Sequence, residues 1–173
     1  MRSILTNFAF LYLLLSSPMA VAWTLQGQVV AIVSGDTIRV RDERKVQHTV
    51  RLAGIDAPEK FQKHAQRSED ALREFVFQKY VTVEVPRQGG SPRVGKVVVA
   101  GRDVSLELLA DGSAWYDKSR MQDFAAQDRQ AYAAAEADAR QRRAGLWRDS
   151  KPIPPGNTGP VAASRRGPGF DPG

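Results

Sequence analysis

Val29-Val30-Ala31-Ile32-Val33-Ser34-Gly35-Asp36-Thr37-Ile38-Arg39-Val40 reads as strand, turn and strand. Leu25, Val29, Val30, Ile32 and Val33 form a run rich in β-branched residues. Gly35-Asp36 is a turn signal, and Thr37 to Val40 alternates polar and apolar residues. Further along, Val46 to Leu52 is a third run, ended by Gly54. Val81 to Val85 alternates and is stopped by Pro86, and Val97-Val98-Val99 follows a Gly95-Lys96 turn. About five strands with short turns predict a small closed sheet, because closure removes exposed edges. Helical spacing predicts three helices: Gln66 to Gln78 with Leu72, Phe75 and Val76; Val104 to Leu109, stopped at Gly112; and Asp123 to Arg143, ended at Gly145. Phe124, Tyr132, Ala135 and Ala139 share a stripe of the last helix and read as core, with Leu146 and Trp147 packing back. The fold class is a β-barrel with helices, α+β.

The chain has 173 residues, enough for one domain plus appendages. Met1 to Ala22 is set apart. Arg2 gives a positive start, Ile4 to Leu15 is mostly apolar, and Ala20-Val21-Ala22 is an A-x-A-like cleavage site. The apolar run is about a dozen residues, against the roughly 20 a spanning helix needs. It reads as a cleaved signal peptide, with a secreted or periplasmic protein starting at Trp23 and no stable membrane association afterwards. Residues 23–150 form the body. Residues 151–173 are dominated by Pro and Gly and read as a disordered tail, because such a stretch buries too little surface to offset its ordering entropy.

Lys and Arg number 25 and Asp and Glu 19, a formal net charge of +6 that favours polyanionic partners. Cys is 0, which excludes disulfides, thiolate zinc sites, iron–sulfur clusters and cysteine nucleophiles. His is 2, too few for a multi-histidine metal site, so any metal must be a hard cation held by oxygen.

The chemistry concentrates in Ser34-Gly35-Asp36-Thr37 and in Val50-Arg51-Leu52-Ala53-Gly54-Ile55-Asp56-Ala57-Pro58-Glu59. Asp36 sits at a turn between strands; Asp56 and Glu59 sit in a loop that Pro58 stiffens. Three carboxylates converging from two loops are costly without a cation or proton among them. Arg51 lies on the strand that delivers the second loop and offers a fork suited to phosphate. These are the parts phosphodiester hydrolysis needs. Taken singly, each residue is more often ordinary turn or strand chemistry than catalytic.

Gly35-Asp36-Thr37 followed by Val50-Arg51-Leu52-x-Gly54-Ile55-Asp56-x-Pro58-Glu59 resembles the signature of the staphylococcal nuclease (thermonuclease) family. The order of later features agrees, through Val104 to Ala114 and a long helix closing on Gly145-Leu146-Trp147. The resemblance covers roughly Gln26 to Pro155. It implies an OB-fold: a five-stranded barrel plus three α-helices. It implies calcium bound by Asp36, Asp56 and the backbone carbonyl of Ala57, where the family usually has Thr. It implies Glu59 as general base and Arg51 as phosphate clamp, with DNA and RNA as substrates, 3′-phosphate products and a monomeric state. Tyr116 lies near the family's base-stacking tyrosines. One departure stands out. Where the family carries Asp-x-Tyr-Gly-Arg before the fifth strand, this chain reads Pro92-Arg93-Val94-Gly95-Lys96. Lys96 takes the place of the second catalytic arginine, keeping the charge and losing the fork; Arg93 is the alternative cation. That substitution supports a second reading, a non-catalytic OB-fold protein that binds nucleic acid.

Overall fold

The computed structural model describes residues 23–86 and 91–156. The elements run β1 (Trp23–Ser34), β2 (Thr37–Arg41), β3 (Gln47–Leu52), β4 (Ile55–Asp56), α1 (Ala65–Val76), β5 (Tyr80–Val85), β6 (Arg93–Val99), β7 (Arg102–Asp103), α2 (Val104–Asp111), β8 (Trp115–Tyr116) and α3 (Ala126–Gln141). Two 3₁₀ turns, Lys118–Met121 and Gly145–Arg148, complete the body.

Strands β3, β2, β1, β5 and β6 pair in that order, and a β3–β6 pairing closes the ring into a five-stranded barrel. The closing pair is parallel and the others antiparallel, so the barrel is mixed. The barrel is OB-like, with three helices packed on it, as the resemblance implied.

Inward positions follow the period of two. Ile38 and Val40 on β2, Val50 and Leu52 on β3, and Val83 on β5 are wholly buried, while Arg39 between its neighbours is exposed. On α1, Ser68, Leu72 and Val76 form the buried stripe at four-residue spacing. Helix α2 is capped by Asp103, whose carboxylate accepts from the Ser105 and Leu106 N–H groups, and it ends at Gly112 in the left-handed region. On α3, Tyr132 and Ala139 are buried; Leu146 and Trp147 pack back as a satellite cluster with Ala139.

Three boundaries differ from expectation. Strand β6 begins at Arg93, so the segment expected as a loop before the fifth strand is already strand. Its first residues carry the parallel pairing that closes the barrel, with Arg51 opposite Val94 and Leu52 opposite Gly95. Helix α3 begins at Ala126 rather than Asp123, because the chain first makes the 3₁₀ turn at 118–121. Contacts to the body continue past residue 150: Gln62 Nε2 donates to the Pro154 carbonyl at 3.1 Å, and the Gly156 N–H donates to Glu59 Oε1 at 3.1 Å. The leader and residues 157–173 lie outside the described residues.

Candidate active site

The β2–β3 register places Arg51 opposite Thr37, next to the turn that carries Asp36. Because Val50 and Leu52 point into the core, Arg51 between them points out. The Leu52 N–H donates to the Asp36 carbonyl at 2.8 Å, stitching the two segments together. Close packing fixes the turn from behind: a Cβ on Gly35 would lie 2.3 Å from Ser68 Oγ and 2.8 Å from the Ala57 Cβ. Gly54 has φ +69°, and a Cβ there would meet the Tyr132 ring at 2.6 Å. This left-handed residue turns the chain out of β3 and delivers Asp56 on β4.

Asp36 is almost fully buried, at 5% exposure. Its Oδ1 accepts from Ser34 Oγ and Thr37 Oγ1, both at 2.8 Å, and its Oδ2 from Arg51 Nε at 2.8 Å. The other arm of the Arg51 fork reaches Asp56 Oδ1 at 2.9 Å. One guanidinium therefore spans both carboxylates. Partial burial alone would lower the Arg51 pKa, but the charges of Asp36 and Asp56 outweigh it and hold the pKa above its ordinary value.

Ser34, Asp36, Thr37, Arg51, Asp56, Ala57, Pro58, Glu59, Pro155 and Gly156 all line one open cleft of about 400 Å³. Arg51, Asp36, Asp56, Ala57 and Glu59, chosen from the sequence, are thus brought together. Glu59 is exposed and forms no ion pair with the described residues. Its Oε1 accepts from the Gly156 N–H at 3.1 Å.

Lys96 is not brought there. It points outward from β6 beneath α3, where Nζ donates to Asp128 at 2.9 Å and lies 3.6 Å from Asp103. Burial opposes its charge, but the Asp128 hydrogen bond and the Asp103 charge win, raising its pKa. Lys96, expected beside the phosphate, is held outside the cleft by Asp128 in the first turn of α3 and by Asp103 at the start of α2. Arg93 is also engaged elsewhere: Nη1 meets His48 Nδ1 at 2.8 Å, and the guanidinium lies 4.9 Å from the Trp23 ring centroid. Tyr116 does not line the cleft. It pairs with Ile55 across β4–β8, and its ring stands edge-on to Tyr132 at 6.2 Å.

The second guanidinium comes from Arg120, which the sequence reading missed. Arg120 Nη1 donates to Asp36 Oδ2 at 3.3 Å and to the Ile55 carbonyl, and Nη2 donates to Asp56 Oδ1 at 3.1 Å. It lies 84 residues from Asp36 and 64 from Asp56, so no local spacing could connect them.

The donor set suits a hard cation. Beside the Arg51 and Lys60 cations, the cleft is lined by the oxygen-bearing side chains of Asp36, Asp56 and Glu59, and Asp56 Oδ2 accepts no hydrogen bond from the described residues. Among the described residues no group of three or more His, Cys, Asp or Glu stands at ligand spacing. Two carboxylates, a backbone oxygen and water would have to make up the shell, a composition calcium accepts.

Fold and cleft together define an OB-like barrel that carries a carboxylate–arginine site. The pattern described as Staphylococcal nuclease homologue matches residues 49–149. An uncharacterized endonuclease of Escherichia coli is 35% identical over 133 residues, spanning 76% of this chain and 82% of its own. An uncharacterized endonuclease of Haemophilus influenzae is 34% identical over 129 residues, spanning 74% of this chain and 69% of its own. A micrococcal nuclease of Shigella flexneri is 35% identical over 146 residues, spanning 74% of this chain and 77% of its own. The chain belongs to the staphylococcal nuclease family, and membership supports nuclease activity on nucleic acids.

Proposed function

We propose that the protein is a calcium-dependent phosphodiesterase that hydrolyses DNA and RNA and leaves 3′-phosphate ends. The observation that carries this reading is the Arg51 fork across Asp36 and Asp56, with the uncoupled Glu59 carboxylate on the same cleft wall. Asp36, Asp56 and the Ala57 carbonyl are the groups that would hold calcium, which supplies charge neutralisation at the phosphate. Arg51 lines the cleft, and its guanidinium has the planar fork that matches two phosphate oxygens. Glu59 takes a proton from the attacking water. The new P–O bond forms as the P–O5′ bond breaks, and the 5′-oxygen leaves taking a proton from solvent water, to which Glu59 later returns the one it took.

A protein that only binds strands gains nothing from acids facing the phosphate, since they repel it. Export through the leader, a monomeric state and the absence of a lasting membrane attachment belong to the same proposal. No helix among the described residues is long and apolar enough to cross a membrane. The test is digestion of single-stranded oligonucleotides in calcium and in excess chelator, with end-group analysis of the fragments. Magnesium should support little cutting, because it demands tighter octahedral geometry. Fragments carrying 5′-phosphate would overturn the proposed bond cleavage.

A further inference from the structure

We propose that Arg120 is the positioning residue of this site: a fixed clasp that holds Asp36 and Asp56 at one spacing and leaves Arg51 free to turn to the phosphate. The inference rests on the calcium-dependent reading above.

The two arginines share the same acids but not the same surroundings. The Arg51 side chain is 35% exposed and lines the cleft. The Arg120 side chain is 17% exposed and stands outside the cleft, on the wall of a neighbouring hollow with Pro86, Pro92, Val94 and Phe124. Each nitrogen of Arg120 is committed. Nε pairs with Asp117 Oδ2 at 3.0 Å, Nη1 serves Asp36 and the Ile55 carbonyl, and Nη2 serves Asp56. An arginine so engaged would have to break several charge-assisted bonds to reach a phosphate. Arg51 would break only two and already faces the ligand.

The arrangement joins three separate pieces of chain: the Asp36 turn, β4, and the 3₁₀ turn at 118–121. That turn is itself anchored, since Asp117 caps it by accepting from the Ser119 N–H at 2.9 Å, and the Asp117 N–H donates to the Gly54 carbonyl at 2.9 Å. Two neighbouring carboxylates repel each other. When Arg51 turns to a phosphate, the Arg120 guanidinium still spans both carboxylates and opposes their spreading. Arg120 is placed to do that, and neither Lys96 nor Arg93 is.

The test is Arg120→Lys, which keeps the charge and removes the fork. Calcium is titrated calorimetrically into wild type and variant without nucleic acid, and a single-stranded oligonucleotide is bound by both in chelator. With the melting temperature within a few degrees of wild type, calcium affinity should fall about 10- to 100-fold, the usual loss when a group that orients metal ligands is removed. Oligonucleotide binding in chelator should stay within about twofold, as expected for a group that touches no phosphate. Wild-type calcium affinity in the variant would overturn the positioning role. Loss of oligonucleotide binding with calcium affinity intact would also overturn it, by making Arg120 a phosphate ligand. A wild-type protein that binds no calcium would overturn the calcium reading, and this role with it. If Arg120→Lys does not fold, Asp117→Asn serves instead, because Asn still caps the turn but weakens the anchor of Nε. Calcium affinity should then fall severalfold, and an unchanged affinity would overturn the proposal.

Discussion

Glu59 is set apart from Asp36 and Asp56 by its surroundings. The two aspartates are clasped by guanidinium groups, whereas the Glu59 carboxylate meets only a backbone N–H. Glu59→Gln keeps the shape and removes the base, so hydrolysis should fall about 10²- to 10⁴-fold while oligonucleotide binding persists. Single-turnover assays beside a binding titration measure both, and unchanged hydrolysis would assign the base elsewhere. Lys96 leads to the opposite expectation. Its partners are Asp128 and Asp103, and Asp103 also accepts from the Tyr132 hydroxyl at 2.7 Å and caps α2. Lys96→Ala should therefore cost about 1 kcal/mol of stability, the net worth of one such bond. Turnover should stay within about threefold, since no cleft residue is touched; a hundredfold loss at unchanged stability would restore Lys96 to the chemistry. At this scale the site was half legible. Asp36, Arg51, Asp56 and Glu59 fall in two short segments, Asp36 at a turn and Arg51 on the strand that leads to Asp56 and Glu59, and it was the order of the whole motif rather than any one residue that made them legible. Arg120 did not show, because it reaches the site only through tertiary folding, from a 3₁₀ turn with no apolar period of its own.

Among the elements, the strands were the most readable, because one buried face makes residues such as Val81, Val83 and Val85 alternate with polar ones. The start of β6 was not, since Pro92 and Gly95 argue locally for a loop while pairing with β3 overrides them. The segment after Trp147 was hidden for a similar reason. Its Pro and Gly content reads as tail, yet Pro155 and Gly156 line the cleft and the segment is tied down by side chains from the 59–64 loop. Asp149 is the main tie, at 2.7 Å from Lys63 Nζ and 3.0 Å from His64 Nε2. Hydrogen bonds from Lys63 and then His64 hold its pKa below the ordinary 3.8. A depressed carboxylate pKa stabilises the contact above the ordinary value and loses it as pH falls through the lowered one. Protection of the Gly156 amide, taken relative to its intrinsic exchange rate, should therefore fall below about pH 4, the ordinary range for an aspartate. Asp149→Asn should show the lowered protection already at neutral pH. Protection that persists in both would mean that Asp149 does not hold the segment. Deleting Pro160 to Gly173, beyond the contacts described, should leave melting temperature and activity nearly unchanged.

For the molecule as a whole, a formal net charge of +6 and a cleft open to solvent suit an extended polyanion better than a small enclosed ligand. Binding of single strands in chelator should weaken about tenfold between roughly 50 and 200 mM salt, as expected when a few phosphates release their counterions. A salt-independent affinity would place the recognition in base contacts instead. The central claim is that the barrel positions Asp36, Asp56, Arg51 and Glu59 to hydrolyse a phosphodiester with calcium. The most direct measurement is digestion of a single-stranded DNA oligonucleotide by the purified protein in calcium, in excess chelator, and in calcium with Glu59→Gln. The account predicts fragments in the first condition and intact oligonucleotide in the other two. Equal cutting in chelator would contradict it, as would an oligonucleotide that is bound in calcium and never cut.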